Sequence, residues 1–462
     1  MPQRKLSPPP AVLEIAKRLR QHGHAAWAVG GAVRDAWLGI HGGDWDLATD
    51  ARPDAVRRIF RRTVPIGIEH GTVGVIASDG VLYEVTTFRR DVETFGRHAV
   101  IAFADTIGED LERRDFTINA IAWDPIDDVL IDPHDGVRDL EERRLRTVGH
   151  ASDRMAEDYL RALRALRFAG HYGLTIDAET WGAIRAAVPH LLNLSAERIH
   201  EELTKILTKT PHASATLRLY GESGALEALY PELAATRAVE MPGIDARTGR
   251  GADSGLANMD AWALAIAAVD AVPPRHVLVR YAALLHAIGV PAARIRDPLR
   301  GGWRVTGHES IGARKAGDVM QRLRASNADT ERIVSLVGRQ SDLFPPDAPD
   351  TGVRRWLADV GVSLVRDLFR LRIAFWRANP VKRGASDLVE RWRKAHRVQL
   401  SHPVLTIDGL AIDGEDLKRL GMAPGPRFGQ ILRALLARVV DEPSLNTRDA
   451  LLDLVRAQGI ES

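Results

Sequence analysis

Two patterns of apolar and polar residues divide the chain. From Trp27 to about Gly149, short apolar runs alternate with glycine: Ala26–Val29, Trp45–Ala48, Thr72–Ala77, Val81–Phe88, Ile118–Trp123 and Val129–Ile131. Runs of this length and composition predict strands. Between Pro53 and Phe60, Ala55 and Val56 stand one turn from Ile59 and Phe60, which predicts a helix among them. From Ala156 onward the apolar residues take helical spacing, punctuated by Pro or Gly. Glu157–Ala169, Ala178–Ala187, Ala196–Leu207, Trp262–Val269, His276–Ala287, Gly312–Ala325, Arg354–Ala378 and Gly429–Val440 are the clearest helices. The class is therefore α+β, with a mixed-sheet head followed by an all-helical neck, body and tail. Boundaries near Gly149-His150, Pro211 and Pro345-Pro346 give a disordered or helical lead (1–24), head (25–150), neck (151–210), body (211–345) and tail (346–462). Glu240–Ala257, rich in Gly and small polar residues, reads as a surface loop.

Composition narrows the class without naming a function. At 462 residues the chain exceeds one ordinary core, so several domains are expected. An apolar fraction of 45% with 27% charged residues describes a soluble globular protein. No apolar run is long enough to span a bilayer, and MPQRKLSPPP lacks the apolar segment of a signal peptide. The absence of cysteine excludes disulfides and thiolate metal sites and fits the cytoplasm. A net charge of +2 does not announce a polyanionic partner, although only 8 of the 63 basic residues are lysine.

The chemistry is concentrated in Ala28-Val29-Gly30-Gly31-Ala32-Val33-Arg34-Asp35, followed by Gly43-Asp44-Trp45-Asp46-Leu47. Positions i and i+2 of an extended strand share a face, so Asp44 and Asp46 present two carboxylates side by side. Such a pair suits Mg²⁺ in a phosphoryl-transfer site. Paired glycines let the backbone approach phosphates, and Arg34 adds positive charge one turn on. Alone, a D-x-D is more often a turn or a solvated strand. The glycine turn, the arginine and the D-x-D in this order argue for the site.

These residues resemble the head domain of the class II tRNA nucleotidyltransferases and bacterial poly(A) polymerases, a polymerase-beta-like fold. Further stretches match in the family's order: Glu84–Arg89, Glu109–Ala120, Ile131–Pro133, Glu157–Arg164 and Ser195–Ile199. The detailed match covers about Trp27 to Leu207. The resemblance implies that Asp44 and Asp46 hold Mg²⁺, with Glu84 either a third carboxylate or a solvated strand residue. It implies that Gly30, Gly31 and Arg34 contact the triphosphate, with Arg114 as a second phosphate contact. Asp115 and Asn119 orient that arginine, and Arg113 is expected to be a solvated neighbour. On a helix read as continuous over Ala156–Gly170, Asp158 and Arg161 lie three apart, either as a surface ion pair or as the template for the incoming base. A carboxylate can accept the exocyclic amine shared by cytosine and adenine, while a guanidinium donates to ring acceptors. Arg164 and Arg167 continue this row as nucleotide contacts.

Arg90–Phe103, with Arg97 and His98, matches the flexible loop that relatives use to switch from C to A addition. Pro65–Val73 resembles the CCA-adding branch. Leu284–Gly289 matches a phosphohydrolase motif in which the usual His-Asp pair reads His286-Ala287, so a structural remnant without hydrolase activity is expected. In Arg370–Arg397, Arg372, Arg377, Lys382, Arg383, Arg391, Arg393, Lys394 and Arg397 interleave with Phe375, Trp376 and Trp392. Arg391, Arg393 and Lys394 are the candidate RNA contacts. The resemblance implies CCA addition to tRNA from CTP and ATP with Mg²⁺ as cofactor and no membrane partner. CC-adding, A-adding and poly(A)-polymerising enzymes are the alternatives, and monomer and homodimer both stay open. A catalytically dead RNA-binding protein is disfavoured by intact Asp44, Asp46, Arg114 and Asp158.

Overall fold

The computed structural model describes residues 6–40, 42, 44–95, 98–210, 212–241, 259–296, 303–379 and 385–457. The chain forms two compact units. The first runs to Ile206 and includes Ala215–Leu229; the second comprises Leu207–Ser214 and the chain from Tyr230.

The first unit is built on a seven-stranded sheet. Its strands are β1 (Ala26–Val29), β2 (Asp46–Thr49), β3 (Thr63–Gly67), β4 (Thr72–Ile76), β5 (Leu82–Thr87), β8 (Ala122–Asp124) and β9 (Val129–Ile131), in the order β3-β4-β5-β2-β1-β8-β9. All neighbours are antiparallel except β2 and β5, so the sheet is mixed as expected. Register places the site. Val29 pairs with Asp46 and Leu47 with Val85, which brings the end of β1, Asp46 and Glu84 to one region of the sheet. Ala28, Leu47, Val73 and Val85 are wholly buried beneath it.

Strand β3, Thr-Val-Pro-Ile-Gly, escapes a sequence reading because it is an edge strand. It carries a proline that only an edge tolerates and leaves Val64 and Ile66 exposed. The run expected as a strand from Ile118 begins instead as a 3₁₀ turn, Thr117–Asn119. The stretch expected as a flexible loop is an antiparallel hairpin, β6 (Arg89–Phe95) with β7 (His98–Phe103), bulged between Asp91 and Glu93. Arg97 and the side chain of His98 lie outside the described residues.

The helices of this part of the chain are α1 (Pro10–Gln21), α2 (Gly31–Trp37), α3 (Pro53–Ile59), α4 (Ile107–Glu112), α5 (Gly136–Glu141), α6 (Ala151–Glu157), α7 (Leu160–Tyr172), α8 (Ala178–Ala187) and α9 (Ala196–Lys209). The helix read as continuous over Ala156–Gly170 is broken between α6 and α7. Asp158 there takes extended angles, φ −155° and ψ 105°.

The second unit is helical, with short segments pairing as strands or turning as 3₁₀ among the helices. Arg354–Ala378 is interrupted at Gly361, whose φ of 83° separates Asp350–Val360 from Val362–Ala378. His286 is fully buried, its Nδ1 lies 2.8 Å from the Ala283 carbonyl, and its ring packs 4.4 Å from Phe375. Burial pushes its imidazole down to about 4, so it is a neutral core residue, as the missing aspartate implied.

Burial takes Arg391 and Arg372 out of the tail cluster as candidate RNA contacts and leaves Arg377, Arg393 and Arg397 exposed. Arg391 is 3% exposed and Arg372 only 2%. Arg372 donates to the Gln340 carbonyl at 3.0 Å, Lys394 donates to the Ala348 carbonyl, and Arg397 pairs with Asp350 at 2.8 Å. Trp392 packs between Phe369 and His396. Of the three residues proposed, only Arg393 is exposed; Lys382 and Arg383 lie outside the described residues, as do 242–257 of the expected surface loop. Among the described residues, no helix is long and apolar enough to cross a membrane.

Candidate active site

Two cavities of the first unit meet at Asp46 and Glu84. One, of about 560 Å³, is walled by Gly30, Gly31, Arg34, Arg89, Arg113, Arg114, Arg161, Arg164 and Arg198. The other, of about 600 Å³, is lined by Pro9, Gly42, Asp44, Trp45, Val81, Leu82 and Tyr83, with no cationic side chain among the described residues.

Asp46 opens β2, and Asp44 precedes the strand in the exposed connection. Glu84 stands beside Asp46 on the parallel neighbour, exposed on the alternating face of β5. Burial, reinforced by the negative charges of Glu84 and Asp44, pushes the Asp46 carboxyl up to about 6, against the pull of Arg114. An all-oxygen set around a carboxylate whose charge is disfavoured fits a hard divalent cation. Among the described residues no three acidic or histidine side chains are gathered as a ready metal site. Water and phosphate oxygens would therefore complete the shell.

The opposite wall is held by a chain of charge pairs. At Gly30, which links β1 to α2, φ is +68°, and a Cβ would stand 2.8 Å from Arg114 Nη1. Glycine is required there both by the backbone and by the close approach. Arg34 is 6% exposed and heavily engaged. It donates to Asp35 at 2.9 Å, to Asn119, and to the Tyr172 hydroxyl at 2.6 Å, and its guanidinium lies over the rings of Phe168 and Tyr172. Arg34 thus ties α2 to α7 as it lines the cavity.

Arg114 donates Nη2 to Asp110 at 2.9 Å, while its buried Nε has no protein partner among the described residues. Arg113 is not the solvated neighbour expected. It is 19% exposed, donates to Asp110 at 3.0 Å and lines the cavity beside Arg114. Asp110 itself, 1% exposed, also accepts the Arg89 backbone N–H. Its spacing of three and four residues from the two arginines, on a helix opened by the Thr106/Glu109 capping box, is the sequence signal that marks it.

Burial alone would raise the Asp115 carboxyl. Arg164 at 2.7–2.8 Å and the Asn119 amide at 2.9 Å hold it down to about 2 instead. Asp158 and Arg161 both line the cavity but do not pair with each other. Arg161 binds Glu157 and the Arg154 carbonyl, and Asp158 is gripped by Arg198 through two bonds of 2.6 and 3.0 Å. Arg167 is not on the cavity wall; its Nε pairs with buried Glu202 at 2.7 Å. Of the expected site, Gly30, Gly31, Arg34, Asp46, Glu84, Arg114, Asp115, Asn119, Asp158, Arg161 and Arg164 converge on one cavity, and Asp44 on its neighbour.

Three family descriptions match along the chain. "Poly A polymerase head domain" covers residues 26–146, "Probable RNA and SrmB- binding site of polymerase A" covers 173–236, and tRNA nucleotidyltransferase domain 2 covers 381–455. The CCA-adding enzyme of Geobacillus stearothermophilus is 33% identical over 443 residues, spanning 95% of this chain and 94% of the relative. That of Levilactobacillus brevis is 32% identical over 448 residues, 96% of each.

The chain belongs to the CCA-adding enzyme family.

The crystal structure of the Bacillus stearothermophilus CCA-adding enzyme in complex with CTP superposes with a TM-score of 0.72 at 29% identity, covering 98% of this chain and 99% of that one. A Thermotoga maritima CCA-adding enzyme complexed with tRNA shares the fold, with a TM-score of 0.55 at 18% identity. This CCA-adding family member is accordingly a nucleotidyltransferase, of a family that uses a divalent metal.

Proposed function

We propose that this chain adds C, C and A to the 3′ end of tRNA, using CTP and ATP with Mg²⁺ held at Asp44 and Asp46. The observation that carries the reading is the meeting, at Asp46 and Glu84, of an arginine-walled cavity and one lined by Asp44, Trp45, Val81 and Leu82. A nucleoside triphosphate is a polyanion and belongs with Arg113 and Arg114. The 3′ terminus of the acceptor belongs on the other side, against Trp45, Val81 and Leu82. Transfer joins its 3′ oxygen to the α-phosphorus and releases pyrophosphate, in line, across the shared carboxylates. When bound, Mg²⁺ polarises the reacting oxygens and offsets the charge of the phosphates.

The remaining residues bind and orient. Asp110 aims Arg113 and Arg114 at the phosphates, and Gly30 leaves room for Arg114. Arg34, tied to Asn119 and Tyr172, shapes the wall more than it grips the ligand. Asp158 reads the base by accepting the exocyclic amine of cytosine or adenine, with Arg161 and Arg164 beside it. The tRNA body is held through exposed arginines of the tail. The helix Pro426–Asp441 buries Ile431, Leu435, Val439 and Val440 and exposes Arg427, Arg433 and Arg438, none of which meets an acid among the described residues. This face supplies the phosphate contacts that buried Arg391 cannot. A tRNA substrate and a chain without cysteine fit an activity in the cytoplasm.

The deciding experiment supplies tRNA lacking its terminal CCA with CTP, with ATP, or with both. Growth by two residues with CTP and by three with both is expected. A product that stops at two with both nucleotides makes this a CC-adding enzyme; long A tracts make it a poly(A) polymerase.

A further inference from the structure

The proposed reading assigns base recognition to Asp158, and the structure shows how that carboxylate is aimed. Asp158 belongs to neither α6 nor α7. Its extended backbone breaks the helical path, and its side chain reaches the cavity wall. Three N–H groups already bind it. The Leu160 backbone N–H donates to Oδ1 at 3.1 Å, Arg198 Nη1 to Oδ1 at 3.0 Å, and Arg198 Nη2 to Oδ2 at 2.6 Å. Arg198 comes from the first turn of α9, forty residues further along the chain, and lines the same cavity.

A carboxylate offers about four lone-pair positions. With two used on Oδ1 and one on Oδ2, about one is left, and it lies on Oδ2. We infer that Arg198 is a positioning residue for base selection: its guanidinium fork fixes the Asp158 carboxylate so that one oxygen position faces the incoming base. That position suits one N–H of the exocyclic amine of cytosine or adenine. Uracil puts a carbonyl oxygen at the corresponding place, and two acceptors facing each other repel. Selection against uracil then depends on the carboxylate being held still. Released from Arg198, Asp158 can turn about its side-chain bonds towards Arg164, a neighbour close enough to feel its charge. A carboxylate in several orientations discriminates poorly.

The fork geometry makes the inference testable apart from charge or folding. Lysine retains the charge of arginine but cannot make two parallel bonds to one carboxylate. The experiment measures kcat and KM for CTP and UTP incorporation into tRNA lacking CCA, for the wild type, Arg198→Lys, Arg198→Ala and Asp158→Asn. tRNA binding and circular dichroism confirm folding. For both Arg198 variants, the CTP-over-UTP preference in kcat/KM should fall by about tenfold or more, carried mainly by a raised KM for CTP. The lysine variant should fail to restore it. If Arg198→Lys selects like the wild type, or if both variants slow all nucleotides equally, Arg198 only supports the fold and the inference is overturned. Should Arg198→Ala not fold, the lysine variant alone decides between these outcomes. A loss of selectivity in Asp158→Asn with none in Arg198→Lys overturns this inference and leaves the base-reading role of Asp158 standing. Unchanged selectivity in Asp158→Asn removes that role itself.

Discussion

Asp110 lies beneath Arg114, its Oδ2 accepting the arginine's Nη2 at 2.9 Å while Oδ1 takes Arg113. A carboxylate 1% exposed thus aims two guanidinium groups at one cavity. Burial works against its charge, but the two arginines outweigh burial and keep it ionised below the usual carboxylate range. Asp110→Asn keeps the shape and removes the charge, leaving two partly buried arginines unpaired. The expected loss is about 1–3 kcal/mol of stability, together with a raised KM for both CTP and ATP. Thermal unfolding and steady-state kinetics on the same preparation check it, and an unchanged KM would mean the arginines hold their aim without Asp110.

Asp44 and Asp46 are expected to be needed for transfer and not for holding tRNA. Asp44→Ala or Asp46→Ala should slow incorporation at least about a hundredfold, a loss of charge stabilisation that saturating Mg²⁺ does not recover. Chelation of divalent cations should silence the wild type reversibly. A gel-shift assay should show tRNA affinity within about twofold of the wild type in both variants, because phosphate contacts made by arginines dominate nucleic-acid affinity.

The Asp115 carboxyl gives the fold an acid-sensitive element. Its folded-state value, about 2, lies below that of an unfolded aspartate, about 3.9, so the folded state binds this proton less readily. The stabilisation is therefore complete above about pH 4 and lost as pH falls towards 2. Asp115→Asn should unfold at lower temperature at neutral pH, and its deficit against the wild type should shrink on acidification through that window. Equal deficits at pH 6 and pH 2.5 would show that the ion pair with Arg164 contributes nothing.

Arg427, Arg433 and Arg438 should grip RNA where buried Arg391 does not. Replacing all three with Gln should weaken tRNA binding and lower the log–log salt slope by about 0.7–0.9 for each phosphate no longer neutralised. Arg391→Gln should chiefly destabilise the second unit, since its side chain is packed inside it. Titrations at several salt concentrations decide the first expectation and thermal unfolding the second. An unaltered slope in the triple variant would leave Pro426–Asp441 as a solvated helix.

Much of the site was legible along the chain because its residues fall in short runs, Gly30–Asp46, Arg113–Asn119 and Asp158–Arg164. Gly30, Gly31 and Arg34 follow a strand whose bounds, Ala26–Val29, are those of the apolar run itself. Ala178–Ala187 likewise coincides with its helical period. Such elements depend on neighbours within a turn or a pleat, and these are written consecutively. The edge strand Thr63–Gly67 and the hairpin Arg89–Phe103 were not legible, since pairing partners and not periodicity make them strands.

The residue types of the site, their order and the family they mark were therefore determined by the sequence by itself. Which charges remain available was decided only by the tertiary structure. Arg391 looked like a phosphate contact and is core; Asp158 looked like the partner of Arg161, three residues away, and is held by Arg198, forty residues away. A charged side chain takes its role from what surrounds it once solvent is excluded, and that depends on which distant segments pack against it. Spacing constrains only the neighbours a single helix can bring together, and the helix that would have joined Asp158 to Arg161 is broken at Asp158 itself.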